Sequence, residues 1–396
     1  MLSMNLDEQL PKSKNRNLLM RILPICFFIL LFSISLSAQE RLLLTWYDAT
    51  VLGIQGKGWT DTKTPFDRLP VKAEKLVPEG VWARSLNSAG LHVSFATNSP
   101  IIVVRWRLRN PSISSPYLSS MSVAGLDLYV RQGDKWFWAA TKPPKSYPET
   151  TETFLRNLSP ELREYLLYLP IYNGVEKVEI GVAEGSKFGK AIESTTEKPI
   201  VIYGTSIVQG SAASRPGMTY VSQLARRLNR PVINLGFSGL CHMEHALAEL
   251  LAELDPAMYV VDCLPNMLPK EIKERTVPLV KTIREKHPDT PIVLIENLAY
   301  PQGRWNPGVE KSVELKNKIL SDEYAKLRRE SIPNIYYIKN DGLLSNEGNA
   351  TVDGVHPTDL GFWQMTNTLE PILRAILTRS ETKQGAKEKN DRNRPG

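Results

Sequence analysis

The sequence predicts two domains in series: an all-β sandwich of jelly-roll type, then an α/β domain built on a parallel sheet. Three observations lead there. Between residues 39 and 185, short alternating or β-branched runs recur, such as Leu91–Phe95, Ile101–Leu108, Leu126–Arg131, Trp136–Ala140 and Val175–Val182. Pro100, Asn110-Pro111 and Gly133-Asp134 punctuate them, which is the pattern of a sandwich. From Pro199 onward, apolar strand-like runs instead alternate with helical stretches, as crossover-connected parallel strands require. Finally, 396 residues leave room for two domains of ordinary size, and 42% apolar with 23% charged residues is the composition of a globular protein.

Residues 1–38 are set apart from both domains. Lys12, Lys14, Arg16 and Arg21 precede an apolar core, Ile22 to Leu36, and Ser35-Leu36-Ser37-Ala38 supplies small residues for cleavage near Gln39. This reads as a secretory signal peptide, so a secreted or periplasmic location is expected, with no stable membrane insertion after cleavage. The apolar run is short for a membrane span; an uncleaved anchor is the alternative. Ile25 is bulky for a lipoprotein signal at Cys26. The segment carries four basic and two acidic side chains of a chain with net charge +7, so the remainder is close to +5. That charge is dispersed, with no basic, aromatic-interleaved stripe, and no nucleic-acid partner is expected. Lysines, acids, Asn and Gly alternate over 380–396, a tail expected to be disordered and solvated.

Six of the eight tryptophans, Trp46, Trp59, Trp82, Trp106, Trp136 and Trp138, fall in the first domain. Aromatics in a small sandwich are more often core than a sugar platform. Gly125-Leu126-Asp127-Leu128-Tyr129 reads as a strand with its turn rather than a site. The polar stretch 186–198 is expected to be the linker, and 199–379 the α/β domain. Within it, Leu247, Leu250, Leu251 and Leu254 share a helix face, Pro291–Ile295 and Asn334–Ile338 read as strands, and Glu310–Arg329 as a helix. Leu369, Ile372, Leu373, Ile376 and Leu377 form a last helical stripe, with Pro371 expected in its first turn.

Four short blocks in the α/β domain carry the chemistry. Ile200-Val201-Ile202-Tyr203-Gly204-Thr205-Ser206 is a buried strand breaking into a turn with a serine, where open α/β folds hold ligands. Gly236-Phe237-Ser238-Gly239 ends a second strand, Asp262-Cys263-Leu264-Pro265-Asn266 a third, and Asp353-Gly354-Val355-His356 places an acid three residues before a histidine. Taken singly, each has an ordinary structural reading: Asn266 as a cap, Asp353-Gly354 as a turn, and Thr358 as a helix N-cap after His356. Together and in order, they resemble the serine, glycine, asparagine and D-x-x-H blocks of the SGNH (GDSL-type) hydrolases. The wording is similar to the branch that carries an N-terminal β-domain named for GxDLY, here Gly125–Tyr129, over about residues 42–378. The resemblance implies a flavodoxin-like SGNH hydrolase domain and a serine esterase without cofactor. It assigns Ser206 as nucleophile, His356 as base and Asp353 as its orienting acid. The N–H groups of Ser206 and Gly239, with the Asn266 amide, would form the oxyanion hole.

Two departures from that pattern stand out. Thr205 replaces the usual Asp, and Leu240-Cys241 follows Gly239 where Asn-Gly is expected; Leu240 is expected to border the acyl pocket. Cys241 and Cys263 could pair in an oxidising compartment, but are expected on strands that flank the first one rather than on neighbours, which favours two separate thiols. His242 and His245 are expected at the surface with no metal, and Arg215 on a rim loop with a possible substrate contact. The expected function is removal of small acyl groups, acetyl above all, from a glycan or small-molecule ester. The alternatives are a lipase or thioesterase for longer acyl chains, or a glycan-binding protein with an inactive hydrolase domain.

Overall fold

The computed structural model of the protein describes residues 42–191, 197–345 and 347–392. The expected signal segment lies outside them. From Leu44 onward the chain forms one compact unit. No helix among the described residues is long and apolar enough to cross a membrane.

The first half is an antiparallel sandwich. Its strands are β1 (Leu44–Asp48), β2 (His92–Thr97), β3 (Ile102–Leu108), β4 (Leu126–Gln132), β5 (Lys135–Lys142), β6 (Glu149–Leu155), β7 (Arg163–Tyr168), β8 (Val175–Ala183) and β9 (Phe188–Lys190), with helix α1 (Glu79–Ser85) between β1 and β2. One sheet has the order β1-β8-β3-β6, the other β5-β4-β7-β2-β9. Alternation along each strand fills the space between them: Val93 and Phe95, Val104 and Trp106, Leu126 and Leu128, and Val178, Ile180 and Val182 share one core. Strand β9 lies inside the stretch expected to be linker. Phe188 explains it, stacking on Tyr47 with ring centroids 4.2 Å apart while its backbone pairs with β2. Trp106 is core as expected, but Trp59 and Trp82 leave the sandwich to pack on the α/β half, and Trp138 stays 53% exposed.

The second half holds β10 (Ile200–Gly204), β11 (Val232–Gly236), β12 (Met258–Asp262), β13 (Ile292–Ile295) and β14 (Ile335–Ile338), all parallel in the order β11-β10-β12-β13-β14. Counted from β10 this is 2-1-3-4-5, the flavodoxin-like order, and the reversal occurs at β10. Both faces of β10 are buried: Val201 and Tyr203 enter one core, Ile200 and Ile202 the other. The helices are α2 (Ser206–Gln209), α3 (Tyr220–Leu228), α4 (His245–Leu251), α5 (Pro269–Lys286), α6 (Pro307–Arg329) and α7 (Asp359–Arg392).

Helix α7 departs from the sequence reading at both ends. It begins at Asp359, so Pro371 lies in its interior, on the exposed side, rather than in its first turn. It also continues to Arg392 through residues expected to be disordered, because Lys, Glu, Gln and Ala there extend a helix already nucleated on the core.

The cysteines are joined by a disulfide, Cys241–Cys263, with Cα atoms 5.4 Å apart. Strands β11 and β12 do flank β10, as expected. The loops that leave them converge over the end of β10, where Cys263 Sγ lies 3.8 Å from the Tyr203 carbonyl. Strand order alone does not reveal that crossing.

Candidate active site

Ser206 stands where β10 ends at the switch point of the sheet, as the first residue of α2. Thr205 caps that turn: its Oγ1 accepts from the Ile207 N–H at 3.3 Å. Thr205 is fully buried, so an acid here would be a carboxylate shut away from water; the threonine keeps the cap without the charge.

The loop before α7 brings the other two residues to the serine. His356 Nε2 lies 2.9 Å from Ser206 Oγ, and His356 Nδ1 lies 2.7 Å from Asp353 Oδ2. The second oxygen of Asp353 accepts the N–H groups of Val355 and His356, at 2.9 and 2.8 Å. Its carbonyl accepts from Gln302 Nε2 at 3.1 Å. Burial pushes the Asp353 carboxyl up, but the His356 and Val355 N–H groups and the His356 ring outweigh it and hold the acid below its ordinary range. A three-residue spacing thus lets one turn hold both acid and base. Thr358 stands just before α7, and its hydroxyl donates to the Ala350 carbonyl at 3.3 Å.

Two further predicted residues lie just beyond β11 and β12, the strands that flank β10. Gly239 has φ +76°, a conformation that favours glycine, and a Cβ there would meet nothing within 4 Å, so its backbone faces open space. The Ser206 and Gly239 N–H groups have no acceptor among the described residues. Asn266 ends the 3₁₀ turn Leu264–Asn266, and its Oδ1 is buried without a partner among the described residues. A cap would bond the backbone, so the capping alternative fails. Leu240, the residue after Gly239, is partly buried, and its side chain packs on Gly80 of α1, where an added Cβ would come within 2.9 Å of Leu240 Cδ1.

The sandwich closes around this edge of the sheet. Gly125–Tyr129 is more than a strand and its turn. Leu126 and Leu128 point into the sandwich core, while Asp127 and Tyr129 face the loop after Ser206. Arg215 Nη1 donates to Asp127 Oδ2 at 2.7 Å and to the Tyr129 hydroxyl at 2.6 Å, and the Gly217 N–H donates to the same Asp127 oxygen at 2.9 Å. Trp138 Nε1 donates to Asp127 Oδ1, and Arg226 lies over the Tyr129 ring, 4.1 Å from its centroid. Burial pushes the Asp127 carboxyl up, against the pull of Arg215, Gly217 and Arg226. Arg215 is therefore a partner of the motif rather than a group left free for substrate. Sequence reasoning also missed Arg68, which is buried and donates to the carbonyls of Asn234 and Gly236 at the end of β11, and burial lowers it to about 9. Both contacts join residues far apart in sequence, and only the alternation of Asp127 and Tyr129 opposite two core leucines could have signalled one of them.

Two of the histidines outside the triad have acidic neighbours: His242 Nδ1 is 3.1 Å from Glu271, and His245 pairs with Glu249. No group of three metal-ligating side chains occurs among the described residues. A cavity of about 700 Å³, whose lining includes none of the triad, is bordered by Glu296, Tyr300, Arg304, Glu310, Glu314 and Asn317. Gln302, between two of its lining residues, turns to Asp353 instead.

Comparison with known proteins identifies the family. Residues 197–374 match the GDSL-like Lipase/Acylhydrolase family, and residues 44–188 match the N-terminus of Esterase_SGNH_hydro-type proteins. A solved structure from Bacteroides ovatus described as a GDSL-like lipase is 38% identical, covers 85% of this chain and 98% of its own, and superposes with a TM-score of 0.81. The chain belongs to the GDSL-like lipase/acylhydrolase family. It is a carboxylic ester hydrolase of the SGNH type, and its sandwich is the GxDLY domain of that family. More distant structures share the fold. A salicylyl-acyltransferase from a tetracycline biosynthetic pathway is 20% identical over 85% of this chain and 98% of its own, with a TM-score of 0.69. A family two carbohydrate esterase from Clostridium thermocellum, in complex with cellohexaose, is 13% identical over 73% of this chain and 93% of its own, with a TM-score of 0.52. No curated protein matches the chain.

Proposed function

We propose that this hydrolase is an exported serine esterase that removes small acyl groups, acetyl above all, from a carbohydrate. The observation that carries the chemistry is the unbroken chain from Ser206 Oγ to His356 Nε2, 2.9 Å, and from His356 Nδ1 to Asp353 Oδ2, 2.7 Å. Ser206 Oγ attacks the acyl carbon as His356 Nε2 takes its proton. Negative charge moves to the carbonyl oxygen, which the N–H groups of Ser206 and Gly239 and the Asn266 amide receive. The Cacyl–O bond breaks, and His356 returns the proton to the departing alcohol. Water then attacks the acyl-enzyme with His356 again as base, the Cacyl–Oγ bond breaks, and His356 returns the proton to Ser206 Oγ as the acid is released. Asp353 stays ionised throughout and holds the ring, a role that its lowered pKa supports.

The sugar side of the reading draws support from the cellohexaose-bound carbohydrate esterase of the same fold and from the export signal expected at residues 1–38. Aryl esters of graded acyl length, followed by a panel of acetylated polysaccharides, test it. Wild type is expected to prefer acetate and to deacetylate at least one polysaccharide. Ser206→Ala and His356→Ala should each lose at least about 10⁴ in kcat with an unchanged Tm. Preference for long acyl chains would favour a lipase or thioesterase, and mutant activity within tenfold of wild type would remove the residue from the mechanism.

A further inference from the structure

One residue of the sandwich reaches the catalytic histidine itself. Tyr117 lies on the loop between β3 and the short turn at Ser120–Val123, and its ring stacks beside the His356 imidazole, with centroids 5.7 Å apart and planes 19° from parallel. It is 46% exposed, and its hydroxyl has no hydrogen-bond partner among the described residues. The loop that carries it is nevertheless held firmly. Ser115 and Leu118 exchange two backbone hydrogen bonds of 3.1 Å, which leaves Pro116 and Tyr117 at the tip. Leu118 is anchored in the sandwich core. Asn173 binds the start of the loop through the backbone of Asn110 and Ser112. Ser119 Oγ donates to the Ser214 carbonyl at 3.0 Å, and Ser214 in turn donates to both oxygens of Asp359, three residues after His356. The tip is thus tied to the element that carries the base, while the tyrosine ring remains half in water.

His356 Nε2 must return a proton to the oxygen of the departing alcohol, so that oxygen comes within hydrogen-bond reach of the imidazole edge. The carbonyl oxygen lies elsewhere, among Ser206, Gly239 and Asn266. The surface beside the imidazole therefore meets the alcohol half of the ester, and that surface is Tyr117. We infer that Tyr117, supplied by the sandwich, is a specificity-determining residue whose ring packs against the pyranose ring of the alcohol being released. A flat, partly exposed aromatic face suits the apolar C–H face of a sugar. The inference rests on the esterase reading and deepens it: Tyr117 reads the alcohol, not the acyl group.

Two acetyl esters with the same acyl half, ethyl acetate and an acetylated methyl pyranoside, separate the roles. Tyr117→Ala should lower kcat/KM for the pyranoside about 10- to 100-fold, mostly through KM, and change ethyl acetate by less than about threefold. The acyl-length profile on a fixed alcohol should not move, and Tyr117→Phe should stay within about threefold of wild type on both esters. Equal losses on the two esters would make Tyr117 a support for His356 alone and overturn the inference, as would no loss on either. Binding of the acetylated pyranoside to Ser206→Ala, with and without Tyr117→Ala, is read without turnover. At least tenfold weaker binding in the double variant is expected, and equal binding overturns the inference. If wild type hydrolyses neither ester while that binding difference persists, the esterase reading falls and the sugar contact stands.

Discussion

The sandwich meets the hydrolase half beside the active site in two chemically opposite ways. At Asp127–Arg215 the contact is buried and ionic, and the Asp127 carboxylate is met by Arg215, the Gly217 N–H and Trp138 Nε1. At Tyr117–His356 the contact is aromatic, half exposed and without a partner for its polar atom. A polar group that has every partner it needs contributes to one folded arrangement; one left open near a reactive atom is placed for a ligand. The same division runs through the catalytic edge, where Thr205 is satisfied and Asn266 is not.

The largest effect that would test this division falls on the ionic contact. Asp127→Ala leaves Arg215 without its carboxylate in a largely buried setting, and should cost about 3–5 kcal/mol of stability. Gly217 tightens the case, because a Cβ there would come within 2.4 Å of the Tyr129 ring and 2.7 Å of Asp127. Denaturant unfolding at fixed pH measures the loss, and kcat of the remaining folded protein should stay within a few-fold of wild type. A stable Asp127→Ala protein would mean that the motif does not hold the two halves together.

Asn266 should behave in the opposite sense. Its Oδ1 has no partner among the described residues, so Asn266→Ala should leave Tm nearly unchanged, and loss of the amide donor should lower kcat by about 10² to 10³ with little change in KM. A loss of stability without a loss of rate would return Asn266 to a structural role.

The part of this organisation that could be read from sequence is the part carried by local pattern. Strand β10 announces itself through three β-branched residues in a row, and Asp353 with His356 through a spacing that a single turn can satisfy. The parallel half and the sandwich were legible because their hydrophobic periods differ. What escaped was pairing over distance. Asp127 lies 88 residues from Arg215, and nothing near either one names the other. Tyr117 sits in a Ser- and Pro-rich loop without periodicity, so only the fold shows that it reaches His356. The disulfide was misjudged for a related reason: strand order separates Cys241 from Cys263, but the loops that carry them cross the strand between.

Leu240 gives the smallest test and the one most dependent on the structure. Its position after Gly239 argues, from sequence, for a residue that limits acyl size. Its side chain packs on Gly80, joining the hydrolase half to helix α1. It is only partly buried, so Leu240→Ala should cost less than a full core truncation, about 1–2 kcal/mol against the 2–5 of buried leucines. The ratio of acetate to butyrate hydrolysis on one aryl alcohol should stay the same within about twofold, since each methylene gained or lost in an acyl pocket is worth about 1–3 kcal/mol and would show clearly. A variant of wild-type stability with a broadened chain-length profile would place Leu240 in the acyl pocket after all. A less stable variant with an unchanged profile places it with Asp127, among the residues that hold the halves together and leave the choice of substrate to others.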